Sequence, residues 1–148
     1  MNHRLIAAVA SVALLLGCSD DTSFSDQLKQ LAEQRVGDSI KIDSAIASAW
    51  DEFAIFGAYF PKEYACESLG LSAWQCFWLP YAKPDDSSPN LVVFLNKKEV
   101  VFSAFLPRCG VQIRPYDPMV NRSLRRQGTF LVETDASCTQ PNYLLKQQ

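Results

Sequence analysis

The sequence predicts an α+β domain: an antiparallel sheet of about four to five strands, helices on one face, and two disulfides. Three observations carry that expectation. Leu28, Leu31, Ala32 and Val36 recur at helical spacing, "LVVFLNKKEVVFSAFLP" reads as two apolar strands around a polar turn, and Cys66, Cys76, Cys109 and Cys138 flank short units of chain.

In chain order, "SDQLKQLAEQRVG" offers Ser25 as a cap, a helix over about 26–36 and Gly37 as its stop. Asp43 suits the cap of a second short helix reaching about Ser48. "AWDEFAIFGAYFP" changes period and reads as a strand from Trp50 to Phe60, bent near Gly57. Pro61 then suits the first turn of a helix that Gly70 ends. "LSAWQCFWLPY" is rich in aromatics and reads as a further strand, ended by Pro80.

The stretch from Ala82 to Asn90 has the composition of an exposed loop. The hairpin follows, turning at Asn96-Lys97-Lys98 and stopped by Pro107. Its apolar residues occupy both strand faces, so these strands belong at the centre of the sheet with helices over at least one side. "GVQIRPYDPMVNRSLRRQG" reads as irregular or partly helical, and "TFLVETD" supplies a last strand.

Ahead of this domain the chain has a different character. Arg4 precedes a run from Leu5 to Leu16 that is apolar except for Ser11. A helix of that length spans about 18 Å, short of a hydrocarbon core of about 30 Å, so it reads as an export signal. It ends in Leu15-Leu16-Gly17-Cys18, which resembles the lipobox of bacterial lipoproteins. The resemblance implies cleavage before Cys18, a thioether-linked diacylglycerol on that residue and usually a third, amide-linked chain. Two or three acyl chains anchor a protein stably where one does not. Ser19, rather than Asp, follows the cysteine, which by the same resemblance favours the outer over the inner membrane. The expected division is 1–17 signal peptide, 18–24 lipidated tether and 25–148 a single α+β domain.

A second resemblance covers roughly Ile40 to Phe102. The order "WDEFAIFGAYF", a helix ending "SLGL", an aromatic segment and "LVVFLNKKEVV" is similar to a type of small uncharacterised bacterial lipoprotein with a Trp-Asp strand. The chain departs from its Pro-Tyr corner, having Tyr59-Phe60-Pro61, and the resemblance implies no activity.

Five cysteines are an odd number, and lipid on Cys18 leaves four. In an oxidising compartment four cysteines imply two disulfides with three connectivities open. Cys66–Cys76 and Cys109–Cys138 are favoured, because each pair flanks one short supersecondary unit.

The only histidine is His3, inside the expected signal. Histidine-based triads, histidine general bases and histidine-ligated zinc are therefore not available to the mature domain. No metal or cofactor is expected, and a formal net charge of −2 gives no reason to expect nucleic acid. A carboxylate-based hydrolase would need two carboxylates across a cleft. Asp51 and Glu52 are strand neighbours facing opposite sides, and Asp85-Asp86 sits in a turn composition.

Two features suit binding instead. Arg108, Arg114, Arg122, Arg125 and Arg126 oppose Asp117 alone over one stretch, a pattern fit for carboxylates or phosphates, although arginines of a solvated loop also pair with acidic residues elsewhere. Trp50, Trp74, Phe77, Trp78 and Tyr81 read as core at strand spacing, and any that proved exposed would mark a binding surface. The expected function is a non-enzymatic envelope module of the inhibitor or immunity type, with a protein, toxin or peptidoglycan partner. A structural accessory of an envelope assembly is the alternative, and a carboxylate-based hydrolase ranks third.

Overall fold

The computed structural model describes residues 21–57, 60–80, 89–114, 124–125 and 129–147. Cys18, residues 81–88 of the expected loop region and most of the arginine-rich stretch lie outside them.

The first helix, α1, spans Asp21–Glu33, ahead of the start near residue 26 that its period predicts. Ser25 is consequently a buried position inside the helix and not its cap. Phe24, Leu28 and Ala32 form the buried stripe, so Phe24, expected in the tether, already belongs to the core. Gly37 ends the excursion at φ +85°, and its N–H bonds the Val132 carbonyl. The chain then forms β1 (Ser39–Lys41) and a single 3₁₀ turn at Ile42–Ala45. Asp43 lies within that turn, not at the cap of a helix.

The next strand, β2 (Glu52–Phe56), is shorter than the aromatic run suggests. Helix α2 occupies Lys62–Leu69, with Pro61 at its N-cap and Gly70 closing it at φ +65°. The Leu71 N–H reaches the Cys66 carbonyl and the Gly70 N–H that of Glu67, a Schellman closure that only a left-handed residue permits.

"LSAWQCFWLPY" is not a strand. Residues Ala73–Trp78 form a second short helix, α3, opened by a capping box. Ser72 accepts from the Gln75 N–H at 3.3 Å, and the Gln75 side chain accepts from the Ser72 N–H at 3.0 Å. That reciprocal cap satisfies two otherwise orphaned donors and outweighs the strand preference of the aromatics.

The hairpin is as expected: β3 (Asn90–Asn96) and β4 (Glu99–Leu106) pair antiparallel around Lys97 and Lys98, with a bulge beside Phe94 and Leu95. Both turn lysines have positive φ, 51° and 68°, as a two-residue type I′ turn demands. After it come β5 (Val111–Arg114), β6 (Leu124–Arg125), β7 (Thr129–Asp135) and β8 (Asn142–Gln147). The first two fall in a stretch whose sequence suggests irregular or partly helical chain, and β8 has no counterpart among the expected strands.

The α+β class holds, with the strands dealt into two four-stranded sheets. One has the order β1-β7-β8-β5 and the other β4-β3-β2-β6. All pairings are antiparallel except β5 with β8. The hairpin sheet is central. One face packs Phe53, Ile55, Val92, Phe94, Ala104 and Leu106 against α1 and the second sheet, and the other packs Phe56, Leu91, Val93 and Leu95 against α2 and the residues around α3. Coverage on both faces explains why these strands carry no polar alternation.

Phe94 is the hub of the larger core, with ring centroids of Phe24, Trp50, Phe53 and Phe102 all within 5.9 Å of its own. Such edge and offset contacts add about 0.5–1.5 kcal/mol per pair beyond area burial. Cys66–Cys76 and Cys109–Cys138 are the two disulfides, the connectivity that the sequence favoured. In the chain-entropy model they stabilise by about 3 and about 4 kcal/mol.

Candidate functional site

Trp74, Phe77 and Trp78 stand at positions i, i+3 and i+4 of α3 and therefore share one face. That face is turned to solvent: the three side chains are 69%, 67% and 64% exposed. Trp50, by contrast, is core at 3%. The expectation that all these aromatics pack inside is thus corrected for the three on α3, whose helical period gathers on one side what a strand would have alternated. Tyr81 lies outside the described residues.

The three rings support one another. Trp74 stacks on Phe77 with centroids 6.2 Å apart, and Trp78 meets Trp74 and Phe77 edge-on at 5.5 and 5.3 Å. Tyr64 on α2, 56% exposed, packs edge-on to Phe60. From Leu71 to Pro80 the chain contains no charged residue. The result is an exposed aromatic ridge whose own segment carries no charge.

Its backbone is held firmly. Cys76 ties α3 to Cys66 on α2, the capping box closes the N-terminus, and the Lys62 ammonium donates to the Phe77 carbonyl at 3.1 Å at the other end. Leu79, buried at 3%, plugs the segment into the smaller core. Gln75 reaches the Lys98 carbonyl at 3.5 Å, so α3 also rests on the tip of the β3–β4 hairpin. The sequence carried the signal for this helix in Ser72-x-x-Gln75, which the aromatic content obscured.

Comparison with family models, curated proteins and solved structures returns no match. The reading therefore rests on the site's own chemistry.

The arginines are not gathered into one site among the described residues. Arg114 ends β5 at the edge of one sheet and Arg125 lies on β6 at the edge of the other. Arg108 precedes the Cys109–Cys138 bridge, where its carbonyl accepts from the Gln112 side chain. Arg122 and Arg126 lie outside the described residues.

The carboxylates have structural work. Asp51 accepts from the Lys97 N–H at 3.0 Å, its own N–H bonds the Leu95 carbonyl, and its Oδ1 is buried without a partner. Glu52 begins β2 opposite Arg125 in the register. Asp135 accepts from the Ser137 hydroxyl and N–H. These bonds, with a smaller contribution from Arg114, hold its carboxyl below the usual carboxylate range. A shallow groove of about 290 Å³ beside α1 is lined by Gln27, Gln30, Leu31, Gln34 and Ala45, with no carboxylate. Among the described residues no group of three His, Cys, Asp or Glu side chains is placed to hold a metal ion.

Proposed function

We propose that this chain is an envelope lipoprotein, anchored through lipid on Cys18 and favouring the outer membrane, that acts without catalysis as a binding module. Its contact surface is the ridge of Trp74, Phe77 and Trp78. The observation that carries the reading is the exposure of three adjoining aromatic rings on a helix fixed by a disulfide and two end caps. Rings held open to water on a rigid support forgo burial of about 1.5–3 kcal/mol each, which contact with another envelope component recovers. An inhibitor or immunity role is one use of such a surface, with a toxin or envelope protein received on it.

A photoreactive residue placed at Phe77 in living cells tests the reading. Discrete adducts, to lipid or to protein, that disappear when a Cys18→Ala change prevents lipidation are expected. A ridge that yields no adduct above that of an exposed control position such as Ser137 overturns it.

A further inference from the structure

We infer that the ridge seats on the surface of the same bilayer that holds the lipid on Cys18, giving the domain two points of attachment. This rests on the lipoprotein reading above and names the component that the ridge contacts.

The argument begins with chain length. Helix α1 starts at Asp21, three residues after Cys18, and three residues reach at most about 11 Å. The first turn of α1 is therefore confined to the neighbourhood of the headgroups. Phe24 in that turn packs on Phe94 and Phe102, a pair facing each other across β3 and β4 in the half of the hairpin nearest its turn. On the opposite face of the same sheet, α3 touches the turn itself through Gln75 and the Lys98 carbonyl. The anchor and the ridge thus belong to one end of the central hairpin. A domain held by the first presents the second to the same surface.

The chemistry of the ridge matches that surface. Two tryptophans and a phenylalanine, with no charge between Leu71 and Pro80, have the composition that partitions into the interfacial layer of a bilayer. Lys62 and Lys98, which touch α3, and Lys97 are offset by Glu63, Glu67 and Glu99 close by in the chain and by Asp51, whose carboxylate sits on the Lys97 N–H. No net electrostatic attraction is left, so the contact is apolar and resists salt. A short helix with three exposed rings on one face also seats on a plane more readily than it encloses a peptide.

The test uses the full lipidated chain reconstituted into vesicles of phosphatidylethanolamine and phosphatidylglycerol that contain a lipid brominated in its acyl chains. Flotation with the vesicles reads the anchor, and quenching of tryptophan fluorescence reads the ridge. Trp50, buried in the core, serves as the internal unquenched reference. Docking predicts that more than half of the fluorescence is quenched, that 0.5 M salt leaves the quenching unchanged, and that Trp74→Ser/Trp78→Ser removes it while the protein still floats. Flotation without quenching, or quenching that persists in the double variant, overturns docking and leaves the anchor standing. Failure to float together with absent quenching overturns both. An adduct from position 77 to protein in place of lipid overturns bilayer docking and retains the binding function. The substituted positions are exposed, so the fold is unaffected.

Discussion

The Asp51 carboxylate, just ahead of β2, accepts a 3.0 Å hydrogen bond from the backbone N–H of Lys97, at the tip of the hairpin 46 residues later. The turn beside α3 is thereby fixed by a side chain from the neighbouring strand. Replacing Asp51 with Ala removes that bond from an exposed turn, where water takes up the freed N–H, and should cost about 0.5–1.5 kcal/mol. Urea unfolding reads this directly, and an unchanged midpoint would reject the bond's importance.

Lys97 and Lys98 hold left-handed backbone angles that an Asn-Gly pair adopts at much lower cost. The double substitution Lys97→Asn/Lys98→Gly should therefore stabilise the domain by about 1 kcal/mol, since relief of strain exceeds the greater entropy of glycine in the unfolded chain. A thermal melt of the double variant against the parent reads the effect. A lower midpoint would contradict the argument.

Asn142 is buried at 2%, and its Oδ1 accepts from the Gly110 N–H at 3.0 Å. Its amide donates to Asp135 and Ser137 at 3.3 and 3.4 Å. This one side chain joins the start of β5, the start of β8 and the β7–β8 turn. Asn142→Leu leaves the Gly110 donor buried and unpaired and should cost about 2–3 kcal/mol. Asn142→Asp keeps that acceptor but turns the donor facing Asp135 into a second carboxylate, so its loss of stability should be larger at neutral pH than at acid pH, where a proton shared by the two carboxyls restores a donor. A loss from Asn142→Asp that is independent of pH would count against the network.

The Asp135 carboxyl has a lowered pKa when folded, chiefly through its bonds to Ser137. A depressed acid contributes stability at pH values above its ordinary value of 3.8, and that contribution is lost as the pH falls through the folded value. Asp135→Asn should therefore be less stable than the parent at pH 7, with the difference narrowing on acidification below pH 3.8. Parallel stability curves over the whole range would exclude the assignment.

Phe94 and Trp74 provide the contrast between the interior and the ridge. Phe94→Ala removes the hub of the aromatic core and should cost about 3–5 kcal/mol. Trp74→Ala, at a position 69% exposed, should stay within about 0.5 kcal/mol. Equilibrium unfolding of the two variants checks both values, and a large loss at Trp74 would make the ridge a structural element.

The parts of this fold that were legible in the sequence are those in which local chemistry and tertiary demand agree. The Pro61-to-Gly70 helix has its stop signal in one left-handed residue, and the β3–β4 hairpin has its apolar runs on both sides of a polar turn. The strand misread at Trp74 to Trp78 shows the limit: aromatic residues carry strand propensity, and the Ser72–Gln75 cap that overrides it spans only four positions. The missed β8 illustrates another. Its pattern of Tyr143, Leu144 and Leu145 lacks alternation because Leu144 is buried on the face opposite its neighbours. The early start of α1 follows from Phe24 finding Phe94 and Phe102, a long-range contact that the helix's own sequence does not reveal. The ridge is visible in the sequence as a set of residue types but not as a surface, because exposure depends on period and aromatic content suggests a period of two where the helix has about 3.6.

Helix α3 has six residues and none of them is fully buried. So short a segment does not nucleate alone in water, and its place beside α2 depends on the bond between Cys66 and Cys76. In a reduced chain α3 keeps only its capping box, the buried Leu79 and the hydrogen bonds of Lys62 and Gln75. The order of the three exposed rings is thereby coupled to the redox state of one cysteine pair.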